Sequence, residues 1–174
     1  MVSALRDVRK NVKPPASAMR YIAGAWSIEG IAKNWAKKCQ FRRPTSKDPS
    51  EIQPYAVAYK VSRTDLPVKE VVKKWANEGM LYNYKNNTCK ISGFCDNYKI
   101  ITADISTQVG CAKQLCGYKY LWVCIFKPKR DLSERPYVTG GTCSACPSNF
   151  HCEDKLCKFG PGPKKNTCSK RLKF

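Results

Sequence analysis

The chain has 174 residues, among them 11 cysteines and one histidine, and 32 lysines and arginines against 13 acidic residues give a formal net charge of +19. That length makes one domain with a small appendage, and 43% hydrophobic residues suffice for a core. The single imidazole, His151, sits inside a cysteine cluster and excludes nearly every acid–base or nucleophilic site built on histidine, while the lack of any long apolar run excludes a transmembrane helix.

Residues 3–12 read as a strongly basic helix that Pro14-Pro15 ends. Trp26, Ile28, Ile31, Ala32 and Trp35 recur at helical spacing, with Lys33, Lys37 and Lys38 on other faces, so the next element is an amphipathic helix whose tryptophans belong to the core. Pro44 to Pro54 is loop-like, and Tyr55 to Val61 reads as a strand. Thr64 and Asp65 are placed to cap a further helix, with Pro67 in its first turn and Val68, Val71, Val72 and Trp75 as its inward stripe. Ile100 to Ile105 has the composition of a strand. Tyr118 to Phe126 alternates two apolar sets, Tyr118, Tyr120, Trp122 and Cys124 against Leu121, Val123 and Ile125, and predicts a buried strand. The mixture predicts a layered α/β or α+β domain over residues 1–138. Over 139–174 cysteine, glycine and proline leave little material for a core, and disulfides must hold the chain.

Cysteine at this density in a chain that can bury a core points to an oxidising compartment, and so to secretion. Residues 1–6 lack the apolar stretch of a signal peptide, so a removed leader is expected. The spacing Cys143-x-x-Cys146, Cys152, Cys157 suits either a tetrahedral zinc–thiolate cage or a pair of disulfides. The positive charge is either a solvated face or a surface for an acidic partner such as sulfated glycan, anionic lipid or a cell surface. No base-stacking or groove-reading motif accompanies it, so nucleic acid is not an expected partner. Asn86-Asn87-Thr88 is a glycosylation sequon that secretion would make usable.

Leu5-Arg6, then Val12-Lys13-Pro14-Pro15-Ala16-Ser17-Ala18-Met19, Trp26 and Trp35-Ala36-Lys37-Lys38-Cys39 stand in an order that resembles the opening of the cysteine-rich secretory proteins of the CAP superfamily. Trp75-Ala76-Asn77-Glu78, Tyr82-Asn83-Tyr84, Cys95-Asp96-Asn97-Tyr98, Val109-Gly110-Cys111 and Tyr120-Leu121-Trp122-Val123-Cys124 continue the resemblance along nearly the whole chain. It implies an α+β fold, an α-β-α sandwich (the CAP domain) followed by a disulfide-rich hinge that begins at Pro136-Tyr137 and includes Cys143-Ser144-Ala145-Cys146-Pro147. Carried over by position, it pairs Cys39 with Cys116, Cys111 with Cys124, Cys143 with Cys152 and Cys146 with Cys157. Cys89 and Cys95 are expected to close a small local loop. A further family bridge lacks both halves, Phe126 standing at one of them. Cys168 is odd: free, bound to another chain, or separated from its partner by truncation.

The family's cleft tetrad, two histidines and two acidic residues able to bind a divalent metal, falls on Arg43, Asn97, an apolar stretch within Tyr55 to Ala58, and Glu78. Three of the four positions are changed, so no metal, no other cofactor and no catalytic residue is expected, and Glu78 should pair with a basic neighbour. The short C-terminal part makes the channel regulation of longer members a weaker expectation and offers a cationic arm instead. The resemblance thus implies a secreted, non-enzymatic signalling or binding protein, located in egg jelly or a similar extracellular matrix and addressed to a sperm-surface receptor or an acidic extracellular glycan. The alternative is a cationic defence or venom-type protein acting on anionic membranes, glycans or ion channels. Candidate contacts are Arg6, Arg9, Lys10 and Arg20 on the first elements and Lys164, Lys165, Lys170, Arg171 and Lys173 in the tail. A monomer is expected, with Cys168 permitting a disulfide-linked dimer.

Overall fold

The computed structural model of the protein describes residues 1–162. A four-stranded sheet with strand order β1-β5-β6-β2 lies at its centre. It contains β1 (Ala23–Gly24), β2 (Ala56–Ser62), β5 (Gln108–Cys116) and β6 (Lys119–Lys127). The β5–β6 and β6–β2 pairs are antiparallel, and β1 joins β5 in parallel. Strand β6 is buried on both faces because its two alternating sets serve two different cores. Trp122, Cys124 and Phe126 meet Leu5 of α1 (Val2–Lys10), Val71, Val72 and Trp75 of α3 (Val68–Asn77), and Ile100 and Ile101 of α4 (Asp96–Ile101). Leu121, Val123 and Ile125 meet Ile28, Ala32, Trp35 and Ala36 of α2 (Trp26–Lys37) on the other side. The result is the expected α-β-α sandwich. Each fully buried Leu, Ile or Val in it contributes roughly 1.5–3 kcal/mol.

Helix α2 lies unusually close to the sheet. A Cβ on Gly110 of β5 would stand 2.2 Å from the backbone nitrogen of Glu29, so only glycine fits there. Two short strands, β3 (Tyr82–Asn83) and β4 (Thr88–Cys89), form a separate hairpin. Downstream, β7 (Phe150–Glu153) and β8 (Leu156–Phe159) form another. The second hairpin is bonded to the N-terminal segment, with Tyr21 N donating to the Cys157 carbonyl and Cys157 N to the Met19 carbonyl, both at 2.8 Å. Leu156 completes a small core with Val12, Ala16, Met19 and Tyr137. No helix among the described residues is long and apolar enough to cross a membrane.

Three details depart from the sequence-based expectations, and β5 is a strand that none of them anticipates. The Ile100 to Ile105 run is not a strand: it is the end of α4 and the turn after it. Its β-branched composition yields to burial, since Ile100 and Ile101 both enter the core. Neither Thr64 nor Asp65 caps α3, which starts behind Pro67; the Pro67 carbonyl accepts from Glu70 and Val71, and Asp65 pairs with Lys113 at 2.7 Å. Trp26 is 91% exposed, because it lies half a turn around α2 from Trp35. Strand β5, flatly patterned as Gln-Val-Gly-Cys-Ala-Lys-Gln-Leu-Cys, gave no expectation at all.

Candidate functional site

The cleft lies where the segment after α2 meets the edge strand β2 and the facing ends of α3 and α4. Cys39 takes a left-handed conformation at φ 51°, which turns the chain out of α2, and its bridge to Cys116 ties that turn to the β5–β6 hairpin. Arg43 follows. Its Nη2 donates to Asn97 Oδ1 at 2.8 Å, its Nη1 lies 3.3 Å from Asp96 Oδ2, and its guanidinium stands 5.4 Å over the Tyr59 ring. Asn97, on α4, also accepts from Tyr59 N at 3.2 Å and donates from Nδ2 to Glu78 Oε1 at 2.7 Å. Tyr98 N donates to Glu78 Oε2 at 3.2 Å. Glu78 is therefore joined to Arg43 through Asn97, which corrects the expected direct pairing with a basic neighbour. Burial pushes its carboxyl above the ordinary value, against the hydrogen bonds from Asn97 and Tyr98 and the charge of Arg43.

This arrangement orders an arginine and suits no metal. Asn97 spends its oxygen and nitrogen on neighbours, Arg43 offers only donors and positive charge, and Glu78 supplies the one carboxylate. The cleft has a volume of about 680 Å³, and Phe41, Lys60, Lys74 and Phe94 line it besides the polar chain. Sequence reasoning reached Arg43, Glu78 and Asn97 and missed those four. The available signal was their position: each lies within a few residues of a cleft landmark.

The proposed basic contacts divide. Arg9 is 1% exposed and donates to the carbonyls of Arg20, Ile101, Ala103, Asp104 and Ser106, so it is a structural clamp and no contact residue. Burial pushes its guanidinium down to about 10, partly opposed by Asp104. Arg6 donates to the Ile22 carbonyl at 2.8 Å and stacks on Tyr21. Lys10 pairs with Asp7 and Asp154. Arg20 lies over the Phe150 ring. The basic face of the first elements is thus largely engaged within the fold. Lys164, Lys165, Cys168, Lys170, Arg171 and Lys173 lie outside the described residues.

Five disulfides join Cys39 to Cys116, Cys89 to Cys95, Cys111 to Cys124, Cys143 to Cys152 and Cys146 to Cys157. The sulfurs of Cys143, Cys146 and Cys157 crowd together within 4.8 Å, but each is spent on a bridge, so the zinc-cage reading of that spacing does not hold here. His151 is tied to Gly160 O and Glu153 within the hinge hairpin, away from the cleft. Asn86 is exposed in the turn of the β3–β4 hairpin.

Residues 2–126 match the family described as "CAP: Cysteine-rich secretory protein family". Mouse glioma pathogenesis-related protein 1 is 30% identical over 162 residues, which cover 90% of this chain and 62% of that protein. Mouse peptidase inhibitor 16 is 28% identical over 174 residues, covering 95% of this chain and 34% of its own length. The chain therefore spans less than two thirds of these relatives. Among solved structures, venom allergen-like protein 4 of Schistosoma mansoni superposes with a TM-score of 0.68 at 26% identity, over 80% of this chain and 92% of that one.

Proposed function

Because the chain belongs to the cysteine-rich secretory protein (CAP) family, we propose that it is a secreted protein that acts by binding and not by catalysis, and specifically that it is a ligand for the sperm surface that attracts sperm from egg investments. The observation that carries the non-catalytic part is the chain Arg43–Asn97–Glu78, which puts a hydrogen-bonded arginine among the positions where the family's metal tetrad is expected. Five disulfides, which persist in oxidising compartments, support the extracellular placement. A member of this family whose cleft lacks the histidine pair resembles allurin, the amphibian egg-jelly protein that attracts sperm. The partner is a sperm-surface receptor or an acidic glycan of the cell coat.

Purified protein placed below a porous membrane should raise sperm passage when presented as a gradient and leave it unchanged when present equally on both sides. Equal passage under both conditions at all concentrations overturns the reading.

A second reading, a cationic protein acting on anionic membranes, is favoured by Trp26, which stands 91% exposed on a helix that also carries the exposed Lys33 and Lys37. It predicts leakage of anionic vesicles that high salt abolishes.

A further inference from the structure

The substitutions that remove metal donors from the cleft leave a cavity with a chemistry of its own. Three cations, Arg43, Lys60 and Lys74, line it, against the single carboxylate of Glu78. That carboxylate is committed to Asn97 and Tyr98, and Arg43 shares its charge with Asp96. Lys60 and Lys74 have no ion-pair partner among the described residues. The same lining holds two exposed aromatic rings: Phe41 is 40% exposed and Phe94 61% exposed, on loops from two different parts of the chain. Folding leaves such rings in water only at a cost, and here they share one cleft with unpaired positive charge.

We propose that this cleft binds a short stretch of an acidic polysaccharide, with sulfate or uronate groups on Lys60, Lys74 and Arg43 and sugar rings against Phe41 and Phe94. The inference rests on the reading of the protein as an extracellular ligand and assigns the acidic-glycan part of it to one site. Pyranose rings present C–H faces that pack on aromatic side chains, and their charged substituents project at the ring edge, which matches a lining that holds both aromatics and cations. A bilayer surface would instead want a continuous apolar patch, and the cations here interrupt it. The open shape, on the edge of the sheet and between loops, lets a polymer run through where an enclosed pocket would admit only a small molecule. The net charge of +19 draws any polyanion towards the protein, and the cleft decides where it settles.

The test is calorimetric titration of the whole disulfide-bonded protein with a defined heparin hexasaccharide and with its desulfated counterpart. The K60E/K74E variant should bind the sulfated oligosaccharide about tenfold or more weakly. F94A should weaken it several-fold. K33E/K37E carries the same change of charge on the outer face of α2 and should change affinity by less than about twofold. Near-ultraviolet circular dichroism identical to wild type establishes that each variant is folded. Equal weakening by K33E/K37E and K60E/K74E, or no binding of the hexasaccharide, would each overturn the site. Wild-type protein that attracts sperm yet binds no hexasaccharide overturns this inference alone. Protein that shows the expected variant pattern but attracts no sperm leaves the site standing and overturns only the sperm reading.

Discussion

Arg43 Nη2 donates to Asn97 Oδ1 at 2.8 Å, and through that bond two residues far apart in sequence support one another. Neither residue alone explains the cleft. The arginine brings a charge that needs acceptors, and the asparagine facing it supplies one while its amide nitrogen binds the buried acid, Glu78.

The pair makes a gain-of-function prediction. In R43H/N97H, two imidazoles stand beside Glu78, a donor set that zinc accepts with water in the remaining position. Titration calorimetry should find binding of about one zinc ion per chain in the double variant and none in the wild-type protein. Tight zinc binding by the wild type would contradict the geometry.

Arg9 predicts a stability effect without a functional one. Its guanidinium satisfies five carbonyls at the junction of α1, α4 and the following turn. R9M removes this donor from all five, of which only those of Ala103 and Asp104 keep a backbone N–H partner among the described residues, and should cost on the order of 3 kcal/mol in chemical denaturation with disulfides intact. A loss below about 0.5 kcal/mol would show that water replaces the clamp.

Glu78 gives a pH dependence with a definite sign. Burial raises its carboxyl above the ordinary 4.5, which the unfolded chain retains. Between those two values the folded chain holds the proton more tightly, so stability falls as pH rises through the window. Glu78→Gln cannot ionise, and the stability difference should move in its favour as pH rises above 4.5. A difference that stays constant over that range would refute the shift.

Gly110→Ala places a methyl group 2.2 Å from the backbone of Glu29. Neither the strand nor the helix can yield without parting the layer between them. The expected loss is on the order of 3 kcal/mol, seen as a fall in Tm of roughly 6–12 °C.

The burial of β6 was legible in the sequence because it alternates two largely apolar sets, whereas the helix layer on each face followed from the family resemblance. The cleft's polar chain was legible only by position, since nothing about an arginine, an asparagine and a glutamate far apart in sequence says that they touch. Ile100 and Ile101 misled because β-branched residues carry strand propensity wherever they fall, and only the core around Trp75 turns them into a helix. Arg9 misled for the opposite reason: a cation on a basic helix reads as solvated, and four of the five carbonyls that bind it come from residues 92–97 positions away.

Trp26 gives the protein a spectroscopic reporter of its own. Trp35, Trp75 and Trp122 are buried, so an aqueous quencher such as acrylamide reaches chiefly one indole of the four. Shielding of that emission on addition of a membrane or a glycan would place the ligand at the start of α2, and undiminished quenching would place it elsewhere, with no label attached.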